Sequence, residues 1–272
     1  VEDAARPSSL DTDLLDARRL LQGARRVLVL TGAGISTDSG IPDFRGPEGL
    51  WTKDPAAERR SSLQHYLADP DLRRSIWRER LAQRGRPRPR PNPGHRALVD
   101  LERQGRLLLL VTQNTDGLHL DAGHDPARVV EIHGTSRAAT CLRCGARWPM
   151  EEVLEWVAAG DDDPHCPIPG RLGHPCGGLV KSATVSFGQA LDAGQLERAE
   201  AAAAVCDLLL AVGSTLAVYP AAGLVPLAAR AGAPVMILNG SPTAMDDLAD
   251  VVLRASISEV LPALVEDLGT PA

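Results

Sequence analysis

Lysine is scarce in this chain: Lys53 and Lys181 are the only two, so nearly all of the positive charge is arginine. That bias carries no functional reading. Across 272 residues, 29 Lys and Arg stand against 35 Asp and Glu, a formal net charge of −6. A chain built to coat nucleic acid or an anionic membrane needs the opposite balance, so neither is an expected partner. Long apolar runs are also missing, and none approaches the roughly 18–20 residues of a membrane span. The start, Val1-Glu2-Asp3, lacks the basic-then-apolar order of a secretory signal, and a cytoplasmic location is expected. In that reducing compartment five cysteines are core residues, nucleophiles or metal ligands rather than a disulfide framework. There is no internal repeat.

What is present is a series of short, uninterrupted apolar runs at 27–30, 107–111, 129–132, 208–212, 235–238 and 251–253. Runs of this length without alternation suit strands buried on both faces of a parallel sheet. Helical periodicity lies at 10–22, 94–103 and 216–231, and strand–helix alternation predicts a doubly wound, Rossmann-type α/β fold. Two segments break the pattern. Residues 46–92 are arginine-rich, hold helical stretches at 63–67 and 71–83, and close with a Pro/Arg run; residues 137–181 hold four of the five cysteines. The expected organisation is one discontinuous sheet domain (10–45, 93–136 and 182–272), a helical insertion (46–92) and a cysteine-bearing module (137–181).

Open α/β sheets bind ligands beyond the carboxyl ends of their strands. Five of the runs are followed there by polar or glycine-rich residues: Gly32-Ala33-Gly34-Ile35-Ser36, Gln113-Asn114-Thr115-Asp116, His133-Gly134, Gly213-Ser214-Thr215 and Asn239-Gly240. Turn chemistry explains any one of them; five together favour a site. The Gly32–Gly34 loop suits a pyrophosphate held by backbone N–H groups. No Walker lysine comes after it, and Thr37 stands where a dinucleotide fingerprint would have its third glycine.

Longer strings carry more. Gly32-Ala33-Gly34-Ile35-Ser36 with Gly40-Ile41-Pro42-Asp43-Phe44-Arg45-Gly46 closely resembles the opening motif of the sirtuins, NAD-dependent protein lysine deacylases. Thr112-Gln113-Asn114-Thr115-Asp116-Gly117-Leu118-His119 resembles their second motif, with Thr115 in place of the usual Ile or Val. Glu131-Ile132-His133-Gly134, Gly213-Ser214-Thr215-Leu216-Ala217-Val218-Tyr219-Pro220 and Ile237-Leu238-Asn239 are similar to later motifs, in family order, so that the resemblance covers roughly residues 10–265.

The resemblance implies that NAD is a co-substrate. The acyl-lysine carbonyl oxygen attacks the nicotinamide ribose C1′, and a ribose hydroxyl then takes the acyl group, leaving free lysine and O-acyl-ADP-ribose. His133 matches the general base, a task suited to imidazole near neutral pH. Asn114 and Asp116 match catalytic positions at the ribose and nicotinamide ends. Gly32, Ala33, Gly34, Ser36, Asp43, Phe44, Arg45, Gln113, Gly213, Ser214, Thr215 and Asn239 match further cofactor contacts. Val185, Phe187, Gly188, Leu216 and Val218 match a clamp that takes the substrate peptide as an added strand, with Gln189 replacing a usual Glu. His119 is either a partner behind these residues or a structural group at a helix start.

Cys141-Leu142-Arg143-Cys144 is one zinc knuckle, and Cys166 and Cys176 complete four thiols, spaced wider than the family usually has. Structural Zn2+ on these four is expected, with His165 and His174 as rival ligands and a redox CxxC as the other reading. Cys206 reads as core. Members of the family that remove succinyl or malonyl groups use a Tyr and an Arg three residues apart. Neither Tyr66 nor Tyr219 has Arg at that spacing, so neutral acyl groups are expected. The alternatives to a deacylase are ADP-ribosyl transfer or NAD hydrolysis on the same scaffold, a zinc-knuckle binding protein, and an ordinary dehydrogenase.

Overall fold

The computed structural model describes residues 9–43, 49, 54, 59–170 and 174–269; Phe44 and Arg45, both expected at the cofactor, lie outside them. Strands are β1 (Val27–Thr31), β2 (Leu107–Thr112), β3 (Val129–Glu131), β4 (Gly134–Cys141), β5 (Arg147–Pro149), β6 (Val180–Thr184), β7 (Leu208–Val212), β8 (Val235–Leu238) and β9 (Val251–Leu253). Helices are α1 (Ser9–Gly23), α2 (Leu63–Ala68), α3 (Pro70–Gln83), α4 (Pro93–Arg103), α5 (Leu118–Ala122), α6 (Met150–Ala158), α7 (Ala193–Val205), α8 (Leu224–Arg230) and α9 (Ile257–Val265).

The six apolar runs form one sheet in the order β3-β2-β1-β7-β8-β9, with every neighbouring pair parallel. Chain order reverses between β1 and β7, which makes their carboxyl ends the switch point where ligands bind in such sheets. Successive side chains point to opposite faces. Val27 and Val29 pack with α1, α4 and α9 through Leu21, Leu98 and Leu261, while Leu28 and Leu30 pack with α7 and α8 through Ala203 and Val225. Both faces are therefore covered, which is why the runs do not alternate. Each fully buried Leu or Val contributes roughly 1.5–3 kcal/mol by leaving water.

Several buried polar groups find partners close by. Arg106 donates to the carbonyls of Leu21, Gln22 and Ala24 at the end of α1, at 2.9, 3.0 and 2.6 Å. Asn92 caps α4 by accepting from the His95 N–H, and its own amide donates to the Ile35 carbonyl at 2.7 Å. That second bond fastens α4 to the loop leaving β1.

One expectation needs correcting. The periodicity over 216–231 is not one helix: Leu216 has φ +53°, residues 221–223 form a 3-10 turn, and α8 begins only at Leu224. The apolar spacing marks side chains that must be buried, among them Leu216, Ala221, Leu224 and Val225, and an irregular chain buries them as well as a helix. The two segments that break the sheet pattern pack on each other. β5-β4-β6 form an antiparallel sheet, and Trp77 of α3 shares its core with Ala139, Val153, Leu154 and Val180. A bidentate pair, Arg73 to Asp163 with both bonds at 2.8 Å, joins the same two segments.

Candidate active site

A cavity of about 1150 Å³ opens beyond the carboxyl ends of the parallel strands. Its floor is two loops in contact. The Gly32 N–H donates to the Val212 carbonyl at 3.0 Å and the Gly34 N–H to the Gly213 carbonyl at 2.8 Å. A Cβ on Gly32 would lie 2.7 Å from the Gly213 oxygen, and one on Gly213, at φ +63°, would lie 2.3 Å from the Ile35 nitrogen. Only glycine permits this approach. The chain then turns through a 3-10 helix, Ala33–Ser39, ended by Gly40 at φ +83°.

Behind the cavity wall lies a polarised hydrogen-bond network. Ser36 is 1% exposed; its hydroxyl donates to Asp116 Oδ2 at 2.8 Å and accepts from Asn114 Nδ2 at 3.1 Å. The same Asn114 amide also donates to the Gly32 carbonyl at 3.1 Å, and Asp116 Oδ1 accepts from the Leu118 N–H. Asn114 thus commits its donors inward and keeps Oδ1 for the cavity it lines. His95 Nε2 stands 3.5 Å from the Ser36 hydroxyl, and buried His119 bonds Thr31 Oγ1 through Nε2 at 2.9 Å. The Thr31 hydroxyl donates onward to Thr112, which accepts the Asn114 backbone N–H. Burial pushes His95 down to about 4 and drives His119 well below its ordinary value, so both imidazoles are neutral.

His133 comes just after β3 and lines the cavity. Its Nδ1 lies 3.1 Å from the Gln113 carbonyl oxygen, a contact only Nδ1–H can make as donor, so the Nε2 lone pair remains for a substrate proton. Burial lowers its pKa, and the Gln113 carbonyl partly offsets this. The Gln113 side chain donates to Ser214 Oγ at 2.9 Å, joining the β2 loop to the β7 loop.

Of the remaining expected residues, Ala33, Asp43, Thr215, Asn239, Val185, Phe187, Gly188 and Val218 also border the cavity. Ser36 and Asp116 sit behind it, and the Leu216 side chain turns into the core at 1% exposed. Phe187 gives its N–H to the Ser61 carbonyl at 2.8 Å and its carbonyl to the Leu63 N–H at 3.0 Å. What Phe187 offers the cleft is its half-exposed ring rather than a strand edge. Sequence reasoning missed Arg254, Ala255, Ser256 and Ile257, which continue from β9 into the same cavity. The signal was there: they sit just past an apolar run, the position that holds site residues after five other strands.

Cys141, Cys144, Cys166 and Cys176 bring their sulfurs within 4.8 Å of one another. The Cys141–Cys176 and Cys144–Cys166 separations are 3.8 and 3.6 Å. A tetrahedron with Zn–S bonds of about 2.3 Å has edges of about 3.8 Å, so the four thiols fit zinc. Burial opposes ionisation of Cys141, but the Cys144 and Arg143 N–H groups outweigh it and bring that thiol to about 7; burial pushes Cys166 up to about 12. A dication would hold all four as thiolates. His165 bonds the Asp163 carbonyl instead, and neither it nor His174 is in the cluster.

A doubly wound sheet with a glycine-floored crevice at its switch point, beside a small sheet carrying four clustered thiols, defines a dinucleotide-binding protein with a companion module whose thiols fit a metal. The chain belongs to the Sir2 family, whose model matches residues 32–220. It is 46% identical over 252 residues to NAD-dependent protein deacetylase 2 of Streptomyces coelicolor, covering 92% of this chain and all of that one. A structure described as the basis for the mechanism and regulation of Sir2 enzymes superposes with TM-score 0.81 at 37% identity, over 94% of this chain and 98% of the other. A second, a histidine-to-alanine Sir2 with deacetylated p53 peptide and 3′-O-acetyl ADP-ribose, gives TM-score 0.80 at 30% identity, covering 95% and 99%. Among the described residues no helix is long and apolar enough to cross a membrane.

Proposed function

We propose that this chain is an NAD-dependent protein lysine deacetylase that releases nicotinamide and O-acetyl-ADP-ribose. The observation that carries the reading is the convergence of His133, with its Nε2 lone pair uncommitted, and Asn114, with Oδ1 uncommitted, on one glycine-floored cavity. NAD supplies an electrophilic ribose carbon and the hydroxyl that accepts the acyl group. His133 Nε2 takes the proton of that hydroxyl, and Gln113 holds the imidazole in the tautomer that can do so. Asn114 Oδ1 accepts from a ribose hydroxyl, oriented by Ser36 and Asp116. The backbone of Gly32–Gly34 and Gly213 leaves room for the pyrophosphate, and Asn239 with its neighbour Ser241 faces the far ribose.

Val185, Phe187 and Val218 form the lip for an acyl-lysine peptide. Zinc on Cys141, Cys144, Cys166 and Cys176 is structural, because four thiolates leave no open position for water or substrate. A cytoplasmic location is part of the same proposal, since thiols that hold a metal must stay reduced. Mass spectrometry of products from NAD and an acetyl-lysine peptide tests it: one nicotinamide and one O-acetyl-ADP-ribose per lysine freed are expected. Free ADP-ribose made without peptide, or ADP-ribose attached to protein, would overturn the reading.

A further inference from the structure

A second cavity of about 60 Å³, sharing Ser186 with the wall of the large one, lies where the helical segment meets the small sheet. Arg60, Tyr66, Trp77, Arg80, Lys181 and Ser182 border it, and among the described residues no carboxylate does. Arg60 is paired with Asp54, and the nearby Arg73 is consumed by Asp163. Arg80 and Lys181 form no ion pair among the described residues. Lys181 is 3% exposed, and its ammonium donates only to the carbonyls of Ser182, at 3.1 Å, and Thr184.

Burial lowers the pKa of both cations, and the Lys181 proton is further disfavoured by the Arg80 charge. One polar atom in the same wall, Ser182 Oγ, is buried with no partner in hydrogen-bond geometry among the described residues, whereas the Trp77 indole is turned to the Tyr66 hydroxyl. Glu79 and Asp163 act on this region only from outside the lining. Two like charges withdrawn from water beside an unused O–H donor are costly when empty and favourable around a negative group.

We infer that this cavity binds one small oxyanion, a carboxylate or tetrahedral oxyanion, between Arg80 and Lys181. The anion offsets the mutual repulsion of the two cations and gives Ser182 Oγ an acceptor. It thereby ties α3 to β6, the strand that runs on into Val185. The site is independent of the deacetylase reading, because its occupancy is read on the protein without NAD or peptide.

Formate and sulfate serve as probes in thermal unfolding, with ionic strength held constant by gluconate, which is too bulky for the space. A saturable rise in Tm of roughly 2–4 °C is expected with the probes and none with gluconate. Arg80→Met should abolish the response and melt no lower than wild type in gluconate, since it removes a partly buried cation that has no ion pair among the described residues. Lys181→Met is the second variant, and an anomalous peak between the two side chains in selenate-soaked crystals reads the site without any substitution. The inference fails if the probes match gluconate, or if their effect survives both variants. It also fails if Arg80→Met changes only the ratio of succinyl- to acetyl-lysine turnover with no response to free anion, because the cavity would then be the end of the acyl channel.

Discussion

His133 donates through Nδ1 to the backbone carbonyl of Gln113, a partner that no substitution of the Gln113 side chain removes. The tautomer is therefore set by the fold of the β2 loop. His133→Ala should lower O-acetyl-ADP-ribose formation by roughly 10²–10⁴-fold, the range of a lost general base. Nicotinamide exchange should survive in part, because it precedes the proton transfer. Chromatographic product assay alongside labelled nicotinamide exchange separates the two steps; equal loss of both would refute the assignment.

The pH dependence comes from the same histidine. Burial lowers its pKa, so it stays unprotonated at neutral pH and the acid limb of kcat lies below the ordinary imidazole value of about 6.5. A kcat profile between pH 5 and 8 checks this. A limb centred above 6.5 would mean that another group titrates.

Ser36 is expected to act on the cofactor without touching it. Ser36→Ala removes an acceptor from the Asn114 amide and the donor to Asp116, costing about 1–3 kcal/mol of stability. The kinetic mark is a rise in KM for NAD, on the order of tenfold, with the acetyl-peptide KM nearly unchanged. Unchanged NAD kinetics in a folded variant would leave Ser36 a structural residue only.

Acid should unfold the protein early. His95 is held at about 4 by burial, against about 6.5 when unfolded. Above 6.5 neither state binds the proton; below it the unfolded chain does first, so stability falls as pH drops from 6.5 towards 4. The loss from His95 alone is about 3 kcal/mol, and His119 shifts in the same direction. Urea titrations across this interval measure the slope, and a flat stability would show that the imidazoles are not kept neutral.

Cys176→Ala should lose the metal and loosen the small sheet before the large one. Metal content together with hydrogen exchange over 134–184 tracks both. A stable variant that still holds one zinc would exclude Cys176 as a ligand.

Much of this was legible in the sequence. The parallel strands could be read because burial on two faces leaves uninterrupted apolar runs, as in Val27–Thr31. The crevice could be read because glycine and polar residues end those runs. The depth of each residue could not: Ser36 and Asn114 are both polar and both come after a strand, yet the first supports the cavity wall and the second faces the cavity. Nor could the shared core of Trp77 and Val180, which joins segments a hundred residues apart. Leu216 shows a third limit, because periodicity records which side chains are buried and not the backbone that buries them.

The small sheet ends where the chemistry begins. β4 starts at the residue after His133, and β6 runs into Val185, whose N–H donates to the His133 carbonyl at 2.7 Å. At the other end Cys141 pairs with Val180, beside the four sulfurs. Eight residues of β4 span roughly 25 Å. Mechanically the ribbon is a beam with two supports: the four thiols stand at one, and at the other the peptide of the histidine is held by β3 and by Val185. A metal at the thiols would stiffen only the far support, so the histidine keeps its place by bonds of its own even when that joint is released.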